Sequence, residues 1–257
     1  MDILLYIAAG AGVGFIVGMT GIGGGALMTP LLMMFGFPAH TAVGTDLLYA
    51  SLTKASGAYS HHQQRHVNWH LVKLLAAGSI PAALITGALL SFLFTDAEHY
   101  GDLLKSSLGI MLVLTALVIF FRSKIQRYAI QRHAGNLAHL RPAATVAMGV
   151  LLGIFVTLTS VGAGAIGTAI LMLLYPALRS TNIVGTDIAH AVPLTLAAGL
   201  IHMGLGNVDF FLLGALLLGS IPAIHLGSIL SRRVPDAVLR PVLASLLLIM
   251  GVRYMAF

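Results

Sequence analysis

The chain has 257 residues, of which 58% are hydrophobic and only 9% charged, against about a quarter charged in soluble domains. With a mean hydropathy of +0.96 it cannot cover a water-facing surface, so lipid is its solvent and the expected fold is an all-α polytopic membrane protein. The absence of cysteine excludes disulfides, thiol nucleophiles and cysteine metal sites. The net charge of +6 does not indicate nucleic acid, because the basic residues gather at the ends of apolar runs.

In chain order the apolar runs are 3–19, 26–37, 41–60, 69–94 and 103–121, then 143–158, 165–178, 182–203, 208–230 and 238–255. Met1-Asp2 offers no basic region of a cleaved signal, so Ile3 to Gly18 reads as the first membrane element. A full crossing needs ~20 residues. The runs at 26–37 and 165–178 are too short for that, and each follows a borderline run and a glycine-containing break. A re-entrant or glycine-broken helical pair plus three spanning helices is therefore predicted twice.

The second half repeats the first. Val43-Gly44-Thr45-Asp46 returns as Val184-Gly185-Thr186-Asp187, and Gly78-Ser79-Ile80-Pro81-Ala82 as Gly219-Ser220-Ile221-Pro222-Ala223, both 141 residues on. Thr20-Gly21-Ile22-Gly23-Gly24-Gly25-Ala26 aligns with Thr159-Ser160-Val161-Gly162-Ala163-Gly164-Ala165, 139 residues on. The expected organisation is a first repeat over 1–121, a basic cytoplasmic linker over 122–141 and a second, inverted repeat over 142–257.

Charge sets the orientation. With five elements per half and the N-terminus outside, Arg65, Lys73, Arg122, Lys124, Arg127, Arg132, Arg141, Arg179, Arg232, Arg233 and Arg240 lie on or near the cytoplasmic side. Only Lys105 and Arg253 fall outside, as positive-inside selection requires. Both termini are then external.

The glycine breaks carry the first candidate site. Gly21, Gly23, Gly24 and Gly25 permit a sharp turn, and the short helix after them would aim its electropositive N-terminus inward. Gly162 and Gly164 repeat the device, with Thr20, Thr159 and Ser160 as added hydroxyl donors. Two such helix ends meeting near a pseudo-twofold axis would form an anion site. Close packing of helices through small residues is the competing reading.

Ionisable residues inside the runs come next. Asp46 and Asp187, after Thr45 and Thr186, are expected in the first turns of equivalent helices, as caps or as proton-coupling groups. Lys54 stands alone in its run, has Thr195 as repeat partner, and would attract an anion with Asp46 as its counter-charge two turns away. His190 shares a helical face with Asp187 and is a relay candidate, against a hydrogen-bonded packing role. His61, His62, His66 and His70 have no tetrahedral metal spacing, so no metal or cofactor is expected. Pro81 and Pro222, in equivalent helices, are candidate bending points around which the halves would rock.

The glycine-rich 19–25 segment, the Val43–Asp46 segment and their return in the second half resemble the TauE/SafE sulfite-exporter family, also called the toluenesulfonate uptake permeases. The resemblance covers nearly the whole chain. It implies an inner-membrane secondary transporter, not an enzyme, for small sulfur-containing anions such as sulfite, sulfoacetate or other organosulfonates. Export, alternating access and coupling to protons follow as expectations, with lipid as the other partner, no nucleic acid, and a monomer or homodimer. A divalent-metal or other cation carrier and an anion channel remain as alternatives. An intramembrane hydrolase is disfavoured, because Ser160 lacks a G-x-S-x-G setting and H-E-x-x-H is absent.

Overall fold

The computed structural model describes residues 2–20, 25–93, 100–131, 140–230 and 236–256, which form ten helices. The first five are α1 (Asp2–Thr20), α2 (Gly25–Met34), α3 (Ala39–Gln63), α4 (Trp69–Leu93) and α5 (Gly101–Gln131). The second five are α6 (Arg141–Thr159), α7 (Ala165–Leu174), α8 (Ser180–Gly204), α9 (Phe210–Leu230) and α10 (Asp236–Ala256). Each predicted run is one helix. The first ten residues of the predicted linker are helical too, because α5 continues unbroken to Gln131.

Seven helices are long and apolar enough to cross a membrane: α1, α4, α5, α6, α8, α9 and α10. Large apolar side chains point outward along them, including Phe92, Ile229 and Ile249, while Asp46, Asp187, His190 and Lys54 are buried. This inverted distribution is what a hydrocarbon solvent selects. The 25-residue α3 is not among the seven, and it carries Asp46, Lys54, His61 and His62. Its first sixteen residues are mostly buried, so protein rather than lipid surrounds that polar face.

The sequence repeat is also a repeat of contacts. Helix α1 packs along α9 as α6 packs along α4, while α3 meets α8 and α5 meets α10. A Cβ at Gly10 would overlap the Leu216 carbonyl, and one at Gly149 would overlap the equivalent Leu75 carbonyl. Gly14 on Ser220 matches Gly153 on Ser79, and Gly219 on Ile7 matches Gly78 on Val146. At these crossings backbone lies on backbone, a spacing only glycine allows. The fourth helix of each half thus rests on the opposite half, so the halves are not separate bodies.

The turns after α3 and α8 are copies as well. Gln64, Arg65 and His66 donate back to the carbonyls of Ser60, His62 and His61. Leu205, Gly206 and Asn207 donate to those of Ile201, Met203 and His202, each 141 residues on. The left-handed residue is Arg65 (φ 57°) in one turn and Gly206 (φ 76°) in the other.

Candidate functional site: a closed polar file between α3 and α8

Helices α3 and α8 cross antiparallel, since Gly44 abuts Asn207, Leu48 abuts Gly199 and Gly57 abuts Ile188. Their crossing is marked by Ser51, whose Oγ donates to the Val192 carbonyl at 3.4 Å. These two positions are 141 residues apart, so the contact joins equivalent positions of the sequence repeat. Both helices start earlier than their apolar runs, behind Pro38 and Arg179. Asp46 and Asp187 are consequently each the eighth residue of their helix, beyond the first turn, which corrects the expected position. They flank the crossing on opposite sides.

Each acid meets the short helix of its own half. Asp46 Oδ2 accepts from the Thr29 hydroxyl at 2.5 Å and from the Thr29 amide at 3.2 Å. Asp187 lies against the first turn of α7, where a Cβ at Gly167 would run into its Oδ1. Each of the two short helices whose N-terminal ends are candidates for an anion thus packs against a carboxylate of the chain. The match is not complete, for the repeat partner of Thr29, Thr168, donates to the Gly164 and Ala165 carbonyls instead. Asp187 is left with no hydrogen bond to either oxygen.

The second break turns on three left-handed residues, Ser160 (φ 59°), Gly162 (φ 123°) and Gly164 (φ 121°). Ser160 faces Asp46, across from the half it belongs to, and its hydroxyl forms no hydrogen bond. Thr159 is not free to bind, since its hydroxyl donates to the Phe155 and Val161 carbonyls and accepts from the Val161 amide. Thr20 likewise donates to the Ile16 carbonyl at 2.8 Å. Gly21, Gly23 and Gly24 lie outside the described residues, and Gly25 begins α2.

Lys54 is buried with no hydrogen-bond partner for Nζ. Asp46 is not its close counter-charge: eight residues of helix at ~1.5 Å each put them ~12 Å apart along α3. By the antiparallel register Lys54 stands level with His190 on α8, one turn from Asp187. His190 Nε2 in turn lies 2.8 Å from Ser79 Oγ on α4. The equivalent pair, Tyr49 and Ser220 of α9, face each other without a hydrogen bond. Thr29, Ser79, Ser220 and Tyr49 were not singled out from sequence. Ser79 and Ser220 lie inside the repeated Gly-Ser-Ile-Pro-Ala segment, which the sequence offers as evidence of the repeat and for its proline.

Thr45 and Thr186 stand apart from this file. The Thr45 hydroxyl accepts from the Asp209 amide at 3.1 Å, and the Thr186 hydroxyl from the Asn68 amide at 2.9 Å. Each pins the start of a fourth helix belonging to the other half. Pro81 and Pro222 are exposed on α4 and α9, two residues after Ser79 and Ser220. His61 and His66 pair ring to ring at 5.7 Å, and His62 packs on Trp69. Among the described residues no three His, Cys, Asp or Glu side chains converge on a metal position.

The arrangement is a line of buried ionisable and hydroxyl groups, closed to water, through the centre of an apolar bundle. The family model "Sulfite exporter TauE/SafE" matches residues 6–254. The chain belongs to the TauE/SafE family. Among its relatives, the probable membrane transporter protein YjnA of Bacillus subtilis is 41% identical over 249 residues, covering 96% of this chain and 97% of the relative. A second from that organism, YdhB, is 29% identical over 246 residues, with 92% and 96% covered. The probable membrane transporter protein MJ0441 of Methanocaldococcus jannaschii is 28% identical over 261 residues, with 93% and 91% covered. No solved structure matches the chain. As a TauE/SafE member with seven apolar crossing helices, the protein is a multi-pass membrane transporter.

Proposed function

We propose that the protein exports small sulfur-containing anions (sulfite, sulfoacetate or another organosulfonate) across a bacterial inner membrane by alternating access. The observation that carries this reading is Lys54, a buried cation whose Nζ has no hydrogen bond, in a file with the unpartnered hydroxyls of Ser160, Tyr49 and Ser220. Burying an ammonium whose hydrogens find no acceptor costs several kcal/mol, which an oxyanion accepting from Lys54 and the hydroxyls would offset. The family's description as sulfite exporters supports the choice of anion and the direction. The closed file corresponds to an occluded stage, and the two halves act as inverted repeats with both termini outside. No catalytic step is part of this reading.

Charge balance also supports proton coupling. Lys54 has Asp187 as its nearer carboxylate and Asp46 two helical turns away, so an anion arriving beside them adds like charge in a dry site. A proton on Asp46 or Asp187 relieves that repulsion, with His190 as the nearby relay. One proton accompanying doubly charged sulfite still leaves net negative charge, which a negative-inside potential drives outward at ~2.3 kcal/mol per charge per 100 mV.

Radiolabelled sulfite flux in proteoliposomes tests the reading, with nickel as the comparison. Saturable sulfite flux that Lys54→Met reduces at least tenfold is the expected result. Nickel transport without sulfite transport would establish a cation carrier instead, and flux that never saturates a channel.

A further inference from the structure

A cavity lies where α2 ends and α3 begins. It measures about 410 Å³ and is lined by Met33, Phe37, Pro38, Lys105, Arg253 and Tyr254, among others. Lys105 is near the start of the 31-residue α5 and Arg253 near the end of α10. The other end of α5, at Gln131, is about 40 Å from Lys105 at ~1.5 Å per residue. Lys105 and Arg253 are the two cations that the charge bias leaves on this side, and they come from different helices to one cavity. Lys105 pairs with Asp102 at 3.6 Å, but the Asp102 side chain is 95% exposed and leaves the cavity wall cationic. The cavity is also anchored to the transport machinery. Tyr254 donates to the Pro30 carbonyl at 2.9 Å, one residue from Thr29, the partner of Asp46.

We propose that this cavity is an anion-binding vestibule, in which Lys105 and Arg253 hold a small oxyanion at the outer mouth of the transporter before recapture or after release. Positive-inside selection removes cations from external ends, so two retained at one concave wall mark a local attraction rather than a topological one. Low-dielectric walls around like charges focus their field and raise the local concentration of the opposite charge. The inference rests on the reading above for the orientation of the chain and for the choice of transported probe.

The chain has no cysteine, so one introduced by Met33→Cys is the only thiol. Its rate of modification by sulfonatoethyl methanethiosulfonate, relative to the trimethylammonioethyl reagent, reads the potential in the cavity without any transport. Relative to free cysteine, the preference for the anionic reagent should be on the order of tenfold at low ionic strength. It should vanish with Lys105→Gln and Arg253→Gln together, and rise with Asp102→Asn. In vesicles the double variant should raise the KM for external sulfite severalfold, with the maximal rate unchanged and the difference lost in high salt. A reagent preference that the double variant leaves in place would overturn the vestibule, even if sulfite transport is confirmed. So would a double variant with wild-type KM that carries less co-purified phospholipid, which would assign the cavity to a lipid headgroup. A preference for the anionic reagent carried by these residues, in a protein that moves no sulfite, would sustain the vestibule and remove the central reading instead.

Discussion

Ser79 Oγ lies 2.8 Å from His190 Nε2, whereas the equivalent Ser220 faces Tyr49 with its own hydroxyl and that of the tyrosine both unpartnered. One copy of the repeat has closed this contact between a fourth helix and a third, and the other copy has left it open. Removing Ser79 leaves a buried imidazole nitrogen unsatisfied, which costs ~1–3 kcal/mol, while removing Ser220 only deletes a hydroxyl that had no bond to lose. Thermal unfolding in detergent should therefore show Ser79→Ala clearly destabilised and Ser220→Ala close to wild type.

The glycine crossings make a second stability prediction. A methyl at Gly78 meets the Val146 backbone carbonyl, so neither side can yield by a rotamer change. Gly78→Ala should cost ~1–3 kcal/mol through overpacking. Gly12, in α1, has nothing within 4 Å of its would-be Cβ. Gly12→Ala should be neutral or stabilise by up to ~1 kcal/mol through helix propensity. Equal unfolding temperatures for the two variants would mean the crossings are looser than described.

Lys54 should couple to Asp187 more strongly than to Asp46. Double-mutant cycles on sulfite binding, combining Lys54→Met with Asp187→Asn or with Asp46→Asn, measure this directly. About 1–3 kcal/mol is expected for the first pair and a smaller value for the second, given the ~12 Å along α3. The reverse order would restore the pairing expected from helical spacing alone.

Proton coupling has a defined sign. A proton bound with the anion favours loading from the more acidic side, so acidifying the compartment that sulfite leaves should accelerate its flux. Asp187→Asn should lose that response while still binding sulfite. Flux indifferent to an imposed pH gradient in the wild type would remove Asp46, Asp187 and His190 from the transport cycle.

Arg65 holds the left-handed position that glycine holds at Gly206. Replacing Arg65 by Gly should stabilise the protein by ~1 kcal/mol, since the steric penalty for a side chain there disappears. A loss of stability instead would show that the Arg65 side chain contributes more than its backbone costs.

Much of this fold is legible in the chain because hydrocarbon imposes a simple rule, apolar runs of fixed length, and because the repeat prints each element twice. Helix ends were less legible. Pro38 and Arg179 begin α3 and α8 before their apolar stretches, which moved Asp46 and Asp187 a turn deeper than expected. Polarity did not mark the end of α5, since a helix leaving the bilayer can continue in water to Gln131. In the site, Asp46, Asp187, Lys54, Ser160 and His190 stood out as rare polar residues in apolar surroundings. Thr29, Tyr49, Ser79 and Ser220 did not, because hydroxyls are common in membrane helices. What distinguishes them is a partner on another helix, which spacing along one helix cannot reveal.

The exchange of fourth helices between halves has a mechanical consequence. With α1 interlocked on α9 and α4 on α6 through bare backbone, neither seam can slide, so any movement must pass between the pairs. The stiff units are then α1–α2–α3 with α9, and α6–α7–α8 with α4, each stitched from both ends of the chain. A gene cut within 132–139 would yield two fragments, each with a glycine-lined groove waiting for a helix that only the other fragment supplies.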